Sequence, residues 1–284
     1  MTSYALMAGC GDLGTAAGLR LHDRGWQVTG LRRSPASSSA FRMIPMDLTR
    51  PEVQQQLSAE QLTPDAVVVA LTADGRSAAD YERTYRRGLQ GLGRLLGDHQ
   101  PRLIFVSSTS VIGPYDGQSV TEQTPPAPAT PTAEMLLAAE QDAREIFEDL
   151  IVLRPAGIYG PGRRRTIERI RRGDPLDHSQ MTNRIHRDDL ADLVADLVAA
   201  AQPPQLLHAA DGSPTPQGEV AGFIAERLSV PVPPDSGDGR PRGKRIETAE
   251  LDRFRNGLSE SRPLRWPSFR EGYASLLDEQ HSQR

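Results

Sequence analysis

Short apolar runs alternate with longer segments of helical periodicity over most of the chain. The apolar runs predict strands at residues 4–8, 27–31, 43–46, 66–71, 103–107, 150–153 and 205–209. The segments between them predict helices at residues 15–24, 50–61, 80–97, 132–148 and 188–201. Continuous apolar runs are typical of parallel strands that are covered on both faces. The alternation therefore predicts an α/β fold with a doubly wound parallel sheet.

Composition excludes several classes of protein. The formal net charge of −4 provides no overall basic field, so we expect no nucleic-acid partner. The apolar runs are too short to span a bilayer, and no basic-then-apolar leader opens the chain. A single Cys excludes an intrachain disulfide, which fits a cytoplasmic protein. The His and Cys residues show no metal-ligand spacing, so we expect no metal.

A glycine-rich turn follows the first predicted strand and precedes the first predicted helix. It reads Gly9-Cys10-Gly11-Asp12-Leu13-Gly14. In a dinucleotide site the first Gly allows a tight turn, the second a close approach to the pyrophosphate, and the third close packing of helix on strand. A turn without a ligand is the alternative. We predict cofactor contacts from Gly9, Gly11, Asp12, Leu13 and Gly14.

The end of the second predicted strand bears on the choice of cofactor. Sites for NAD usually have Asp or Glu there, whereas this chain has Arg32, Arg33 and Ser34. Guanidinium groups can bind a 2′-phosphate bidentately, so the sequence favours NADP, with NAD as the alternative. Two solvated arginines are the other interpretation. Further cofactor contacts are predicted after the third and fourth strands, at Asp47, Leu48, Ala70, Leu71 and Thr72.

With these motifs, the chain resembles the extended short-chain dehydrogenase/reductases of the NAD-dependent epimerase/dehydratase family. The likeness rests on five stretches that cover most of residues 1–212: residues 9–14, 47–48, 105–113, 153–162 and 185–191. The resemblance implies a Rossmann domain at 1–157, completed by about 184–212. It also implies a small C-terminal substrate lobe at 158–183 and 213–284, which often binds a nucleotide sugar.

The resemblance places a hydroxyl for the substrate oxygen at Ser108, and Ser107, Thr109 and Ser110 are neighbours that could confuse this assignment. The family's Tyr and Lys, which transfer and tune the proton, fall on Thr132 and Leu136. The chain therefore resembles atypical members that keep the nucleotide site and lose this pair. Replacement proton donors are predicted at Tyr159 and Tyr115, and Tyr81, Tyr85 and His186 are weaker candidates, each with a packing or surface alternative.

An arginine cluster at residues 163–172 suggests an anionic ligand. On a helix, Arg165, Arg169 and Arg172 would share one face, although a solvated helix is the alternative. Arg184 and His186 could reach the same cleft. We therefore predict substrate contacts from Arg165, Arg169, Arg184 and His186.

These patterns predict an NADP-dependent oxidoreductase or epimerase. Its small-molecule substrate would carry a polar carbonyl or hydroxyl group and would be anionic or nucleotide-sugar-like. We expect a monomer or homodimer with no membrane association. The alternative is a non-catalytic NADP(H)-binding sensor or scaffold protein, which the missing Tyr and Lys favour.

Overall fold

The computed structural model describes residues 2–34, 38, 40–50, 62–260 and 262–282. The predicted helix at 50–61 lies outside these residues except for its first position. The chain divides into two compact units by its internal contacts. The first unit contains Met1–Val111, Pro126–Arg154 and Leu190–Leu207, and the second contains Ile112–Pro125, Pro155–Asp189 and His208–Arg284. The domain boundaries inferred from the sequence stay a prediction.

A seven-stranded parallel sheet forms the centre of the fold and confirms the predicted α/β class. Its strands are β1 (Tyr4–Ala8), β2 (Gln27–Arg32), β3 (Arg42–Pro45), β4 (Ala66–Val69), β5 (Arg102–Val106), β6 (Leu150–Pro155) and β7 (Leu206–Ala209). The strand order is β7-β6-β5-β4-β1-β2-β3. The order reverses beside β1, and such a switch point is where doubly wound sheets bind their ligands.

Helices connect the strands of this sheet. They are α1 (Asp12–Asp23), α2 (Ala78–Tyr81), α3 (Gly88–Leu96), α4 (Pro131–Ile146) and α6 (Arg187–Ala199). A π-helical segment, Glu82–Arg87, joins α2 to α3. Helix α4 begins where its sequence favours a start, since the Thr130 hydroxyl accepts from the N–H of Ala133 at 3.2 Å and Pro131 occupies the first turn.

The core of the first unit lies between the sheet and these helices. Leu6, Val67 and Phe105 of the strands are fully buried in one cluster with Leu89 and Leu92 of α3. Burial of these side chains supplies most of the favourable free energy for docking the helices onto the sheet.

The second unit contains helices that the sequence patterns did not predict, apart from the arginine segment. They are α5 (Arg165–Arg172), α7 (Gln217–Leu228), α8 (Ala249–Asn256) and α9 (Phe269–Ser282). Its strands form small sheets: Gly157–Tyr159 with Arg184–His186, Gln180–Thr182 with Thr215–Pro216 and Arg242–Gly243, and Ser119–Val120 with Arg245–Ile246. Within the described ranges, no helix is long and apolar enough to cross a membrane.

Candidate functional site

The glycine turn begins directly after β1, and its last three residues form the first turn of α1. Gly9 has φ +90°, and a Cβ on it would lie 2.7 Å from the carbonyl oxygen of Ala70. A Cβ on Gly14 would lie 2.6 Å from the carbonyl oxygen of Gly9. Only glycine fits at these two positions, because one needs the left-handed region and the other a close approach of two backbones.

Space is open at the second glycine of the motif. A Cβ on Gly11 would meet no atom of the described residues within 4 Å. Gly11 is the N-cap of α1 and has no side chain that could accept from the N–H groups of the first turn. The N–H groups of the first turn can therefore donate to an anion, which the helix dipole also favours. The turn has the shape and chemistry that a pyrophosphate requires.

A pocket of about 370 Å³ opens beside this turn, within the first unit. Nine predicted cofactor residues line it: Gly9, Gly11, Arg32, Arg33, Asp47, Leu48, Ala70, Leu71 and Thr72. Three others, Asp12, Leu13 and Gly14, belong to the first turn of α1, where Leu13 is buried. The structure thus brings together residues from the ends of three strands and from the loop after β3.

Two charged residues of the pocket were missed at the sequence level. Asp74 and Arg83 both line it. Arg33 donates to both carboxylate oxygens of Asp74, at 2.6 Å for Nη2 to Oδ1, and Arg83 donates to Asp80 at 2.7 Å. No motif marks Asp74, which lies 41 positions after Arg33 in the chain. The two residues meet because β1 lies between β2 and β4 in the sheet, so the loops after β2 and β4 are close together.

The serines after β5 have different surroundings. The Ser107 hydroxyl donates to Oε1 of the buried Glu140 at 2.6 Å. Ser108 is half-buried, and its Oγ accepts from the backbone N–H of Ser110 at 3.1 Å. The Ser108 hydroxyl can still donate its own hydrogen to a ligand oxygen. Of these two neighbours, Ser108 is therefore the better candidate for a substrate contact.

The two positions that the resemblance assigns to the family's Tyr and Lys, Thr132 and Leu136, lie in the first half of α4. The Thr132 hydroxyl is 3.1 Å from the hydroxyl of Thr130, and Leu136 is buried. Neither side chain titrates near neutral pH.

The two predicted replacement donors lie in the second unit. Tyr159 packs against the rings of His186 and Tyr273, and its hydroxyl donates to the carbonyl of Ser268 at 3.4 Å. Burial raises the pKa of Tyr159 well above its usual value. The Tyr115 hydroxyl donates to the carbonyl of Pro125 at 3.2 Å. These contacts favour the packing alternative for both, and their catalytic role stays a prediction.

A second cavity, of about 410 Å³, lies within the second unit. Its polar lining includes Arg163, Arg165, Thr166, Thr182, Asn183, Arg184 and Gln217. Arg184 is 5% exposed, donates through Nη2 to the Thr182 hydroxyl, and lies over the Phe269 ring. Its Nη1 is buried and has no hydrogen-bond partner among the described residues. A buried donor without a partner is costly, which marks this cavity as a candidate anion site.

The four predicted substrate residues do not all meet. Arg165 and Arg184 line the cavity, whereas Arg169 donates to the carbonyl of Pro175 at 3.0 Å. His186 is buried and stacks on Trp266 at 3.6 Å between ring centres. This position fits a structural role for His186. Arg163, which belongs to the arginine segment noted in the sequence, lines the cavity together with Arg165 and Arg184.

Two titratable groups of the second unit have shifted pKa values. Burial raises the pKa of Asp211 to about 7, against an opposing effect of Arg184. Burial lowers the pKa of Lys244, the sole lysine of the chain, to about 8. The Lys244 Nζ donates to the carbonyl of Gly113 at 2.7 Å. Within the described part of the chain, no three His, Cys, Asp or Glu side chains could hold a metal ion.

Comparison with known proteins places this architecture in a family. Residues 5–210 match the NAD dependent epimerase/dehydratase family. A 163-residue stretch is 34% identical to the protein YeeZ of Escherichia coli K12 and covers 55% of this chain and 59% of that protein. The chain thus spans less than two thirds of the length of this curated relative.

Solved structures extend the likeness over the whole chain. An epimerase/dehydratase-type protein from Methylobacillus flagellatus is 31% identical, with a TM-score of 0.83 over 99% of this chain and 100% of its own. A UDP-glucuronic acid 4-epimerase from Bacillus cereus, solved with NAD, has the same fold at 16% identity, with a TM-score of 0.76 over 98% of this chain and 99% of its own. From the family match and the relative from Methylobacillus, we conclude that this chain belongs to the NAD dependent epimerase/dehydratase family.

Proposed function

We propose that this protein is an NADP-dependent oxidoreductase or epimerase that acts on an anionic, nucleotide-sugar-like carbonyl or hydroxyl substrate. The observation that carries the proposal is the lining of the first pocket. Arg32 ends β2, Arg33 and Ser34 follow it, and all three line the pocket together with Gly9 and Gly11 of the glycine turn. A ribose 2′-phosphate suits such a lining better than a 2′-hydroxyl, which is usually held by a carboxylate at this strand end.

Two features of the glycine turn support dinucleotide binding. The open space at Gly11 and the uncapped start of α1 suit the pyrophosphate. Ala70, Leu71 and Thr72 extend the lining beyond β4, where the path to the nicotinamide ribose is expected. When bound, the cofactor supplies or accepts a hydride, and the protein supplies orientation and electrostatics.

The substrate class follows from the cavity of the second unit. Arg163, Arg165 and Arg184 contribute positive charge to its lining, and the unpartnered Nη1 of Arg184 can donate to a phosphate or carboxylate. A family neighbour of the same fold is a UDP-glucuronic acid 4-epimerase, whose name includes both a nucleotide and a carboxylate. An anionic nucleotide sugar is therefore the substrate class that we propose.

Ser108 is our candidate for the hydrogen bond to the substrate oxygen, because its hydroxyl can donate while Ser107 is held by Glu140. A second function, a non-catalytic NADP(H) sensor or scaffold, is favoured by one observation. The resemblance assigns Thr132 and Leu136, which cannot transfer protons near neutral pH, to the positions of the family's proton-transferring pair. Catalysis would then require an unusual proton donor, whereas sensing would require none.

The cofactor is tested by titration of NADP and NAD into the wild type and an Arg32→Ala/Arg33→Ala variant. Loss of a charge-assisted phosphate contact costs about 1.5–3 kcal/mol, so NADP affinity falls about tenfold to a hundredfold. NAD affinity changes little, because the 2′-hydroxyl has no such contact. Tighter binding of NAD than of NADP by the wild type contradicts the proposal.

Activity is tested with carbonyl and nucleotide-sugar substrates, followed by the absorbance of NADPH. Removal of one preorganised donor typically costs a factor of about 10²–10³ in rate, so Ser108→Ala lowers turnover by that order and leaves NADP binding unchanged. Ser110→Ala is the matched control, because its contact with Ser108 uses only the backbone N–H. Absence of turnover together with different proteolysis patterns in NADP and NADPH favours the sensor.

A further inference from the structure

We propose that Asp74 sets the cofactor preference of the first pocket by competing with the 2′-phosphate of NADP for the guanidinium of Arg33. The inference rests on the proposed function, since it assumes that Arg33 faces the 2′-phosphate. Arg32 and Arg33 favour NADP binding in the proposed function, whereas Asp74 weakens it.

The competing contact is bidentate. Nη2 of Arg33 donates to Oδ1 of Asp74 at 2.6 Å, and Nη1 donates to Oδ2. Both residues line the pocket. A guanidinium fork matches a carboxylate and a phosphate in the same parallel geometry. Asp74 therefore occupies the Nη1–Nη2 edge, one of the two guanidinium edges that can bind a phosphate bidentately.

Because Asp74 and a 2′-phosphate are both negatively charged, the contact of Arg33 with one disfavours its contact with the other. The Arg33 hydrogen bonds hold the pKa of Asp74 below its usual value, so Asp74 carries a full negative charge at neutral pH. A 2′-phosphate that reaches Arg33 must displace this carboxylate or bear its repulsion. A ribose 2′-hydroxyl carries no charge and requires neither. Asp74 therefore disfavours NADP while leaving NAD nearly unaffected.

A second ion pair at the pocket shows why Asp74 is the residue that can move. Arg83 is paired with Asp80, but Asp80 also accepts from the N–H and hydroxyl of Ser77 in a capping box at the start of α2. If Asp80 moved away from Arg83, its hydrogen bonds to Ser77 would also break, and α2 would lose its cap. Among the described residues, the hydrogen bonds of Asp74 come from Arg33 alone. Both side chains are exposed, at 46% for Arg33 and 58% for Asp74, so the pair can separate.

The test compares the dissociation constants of NADP and NAD for the wild type, Asp74→Asn and Glu82→Gln. An exposed ion pair contributes about 0.2–1 kcal/mol, so Asp74→Asn tightens NADP binding about twofold to fivefold and leaves NAD binding unchanged. Glu82→Gln removes one negative charge from the adjoining π-helix, where Glu82 pairs with Arg87 outside the pocket lining. This control should change neither constant.

The same measurements in an Arg33→Ala background separate the possible failures. If Asp74 acts through Arg33, the gain from Asp74→Asn disappears in that background. An equal gain with and without Arg33, or an Asp74→Asn protein that behaves like Glu82→Gln, overturns the inference. If Arg33→Ala itself leaves NADP binding unchanged, the proposed cofactor assignment fails instead. Thermal unfolding without cofactor verifies that each variant is folded.

Discussion

Arg154 in the first unit and Arg184 in the second are both buried, at 2% and 5% exposed, but their partners differ. Arg154 donates to both oxygens of Glu140, at 2.9 Å from Nε and 2.7 Å from Nη2. Arg184 donates to a threonine hydroxyl and lies over a phenyl ring. Each leaves its Nη1 without a hydrogen-bond partner among the described residues, and Arg184 also lines the cavity of the second unit.

This difference separates a structural arginine from a candidate ligand-binding arginine. A buried charge requires a counter-charge, and Glu140 supplies one for Arg154 within the fold. The same carboxylate accepts from Ser107, so the pair also holds the end of β5, next to Ser108. Arg184 lines a cavity, and its Nη1 has no hydrogen-bond partner among the described residues. The fold places Asp211 near Arg184, but burial raises the pKa of that carboxyl to about 7. In our proposal, the anionic substrate supplies a further counter-charge to Arg184.

The largest effect is expected from breaking the Arg154–Glu140 pair. Arg154→Met leaves the buried Glu140 without its arginine partner, so the free energy of unfolding falls by about 3–5 kcal/mol in urea denaturation. Arg144→Met is the control: Arg144 lies 3.7 Å from the same carboxylate but is 47% exposed, so its removal costs less than about 1 kcal/mol. Equal costs for the two variants would contradict the structural role of Arg154.

A smaller effect on stability and a larger one on binding are expected for Arg184→Met. The loss of one hydroxyl contact, offset by relief of the unpartnered donor, changes the free energy of unfolding by less than about 2 kcal/mol. Binding of UDP in the presence of saturating NADP weakens about tenfold to a hundredfold, because a charge-assisted hydrogen bond is lost. A destabilisation as large as that of Arg154→Met, with unchanged UDP binding, would make both arginines structural.

The smallest effect concerns pH. Burial raises the pKa of Asp211 to about 7 from 3.8, Arg184 opposes this and Asp189 adds to it. Between pH 3.8 and pH 7, Asp211 holds a proton in the folded state that it has released in the unfolded state. The free energy of unfolding therefore falls as pH rises and levels off above about pH 7. The wild type loses about 1.4 kcal/mol from pH 6 to pH 8 relative to Asp211→Asn. Chemical denaturation at the two pH values measures this difference, and parallel changes in both proteins would exclude a raised pKa.

Much of the first unit was predictable, because its signals are local. Each central strand was predicted to within two residues at either end, since continuous apolar runs mark strands that are covered on both faces. Gly9 and Gly14 were assigned their roles because backbone conformation and close approach permit only glycine there. The second unit was poorly predicted. The α7, α8 and α9 segments have mixed polar and apolar sequences. Helices α7 and α9 are stabilised by packing in the core of that unit.

The sequence by itself determined the parallel sheet, the glycine turn and the positions of Arg32 and Arg33 at the end of β2. Each of these depends on neighbouring residues and on the periodicity of a strand or helix. Only the tertiary structure decided which side chains meet across long separations in the chain. It pairs Arg33 with Asp74, binds Ser107 to Glu140 while leaving Ser108 able to donate, and lines one cavity with Arg165 and Arg184. Such contacts depend on strand order and burial, which no local pattern of residues contains.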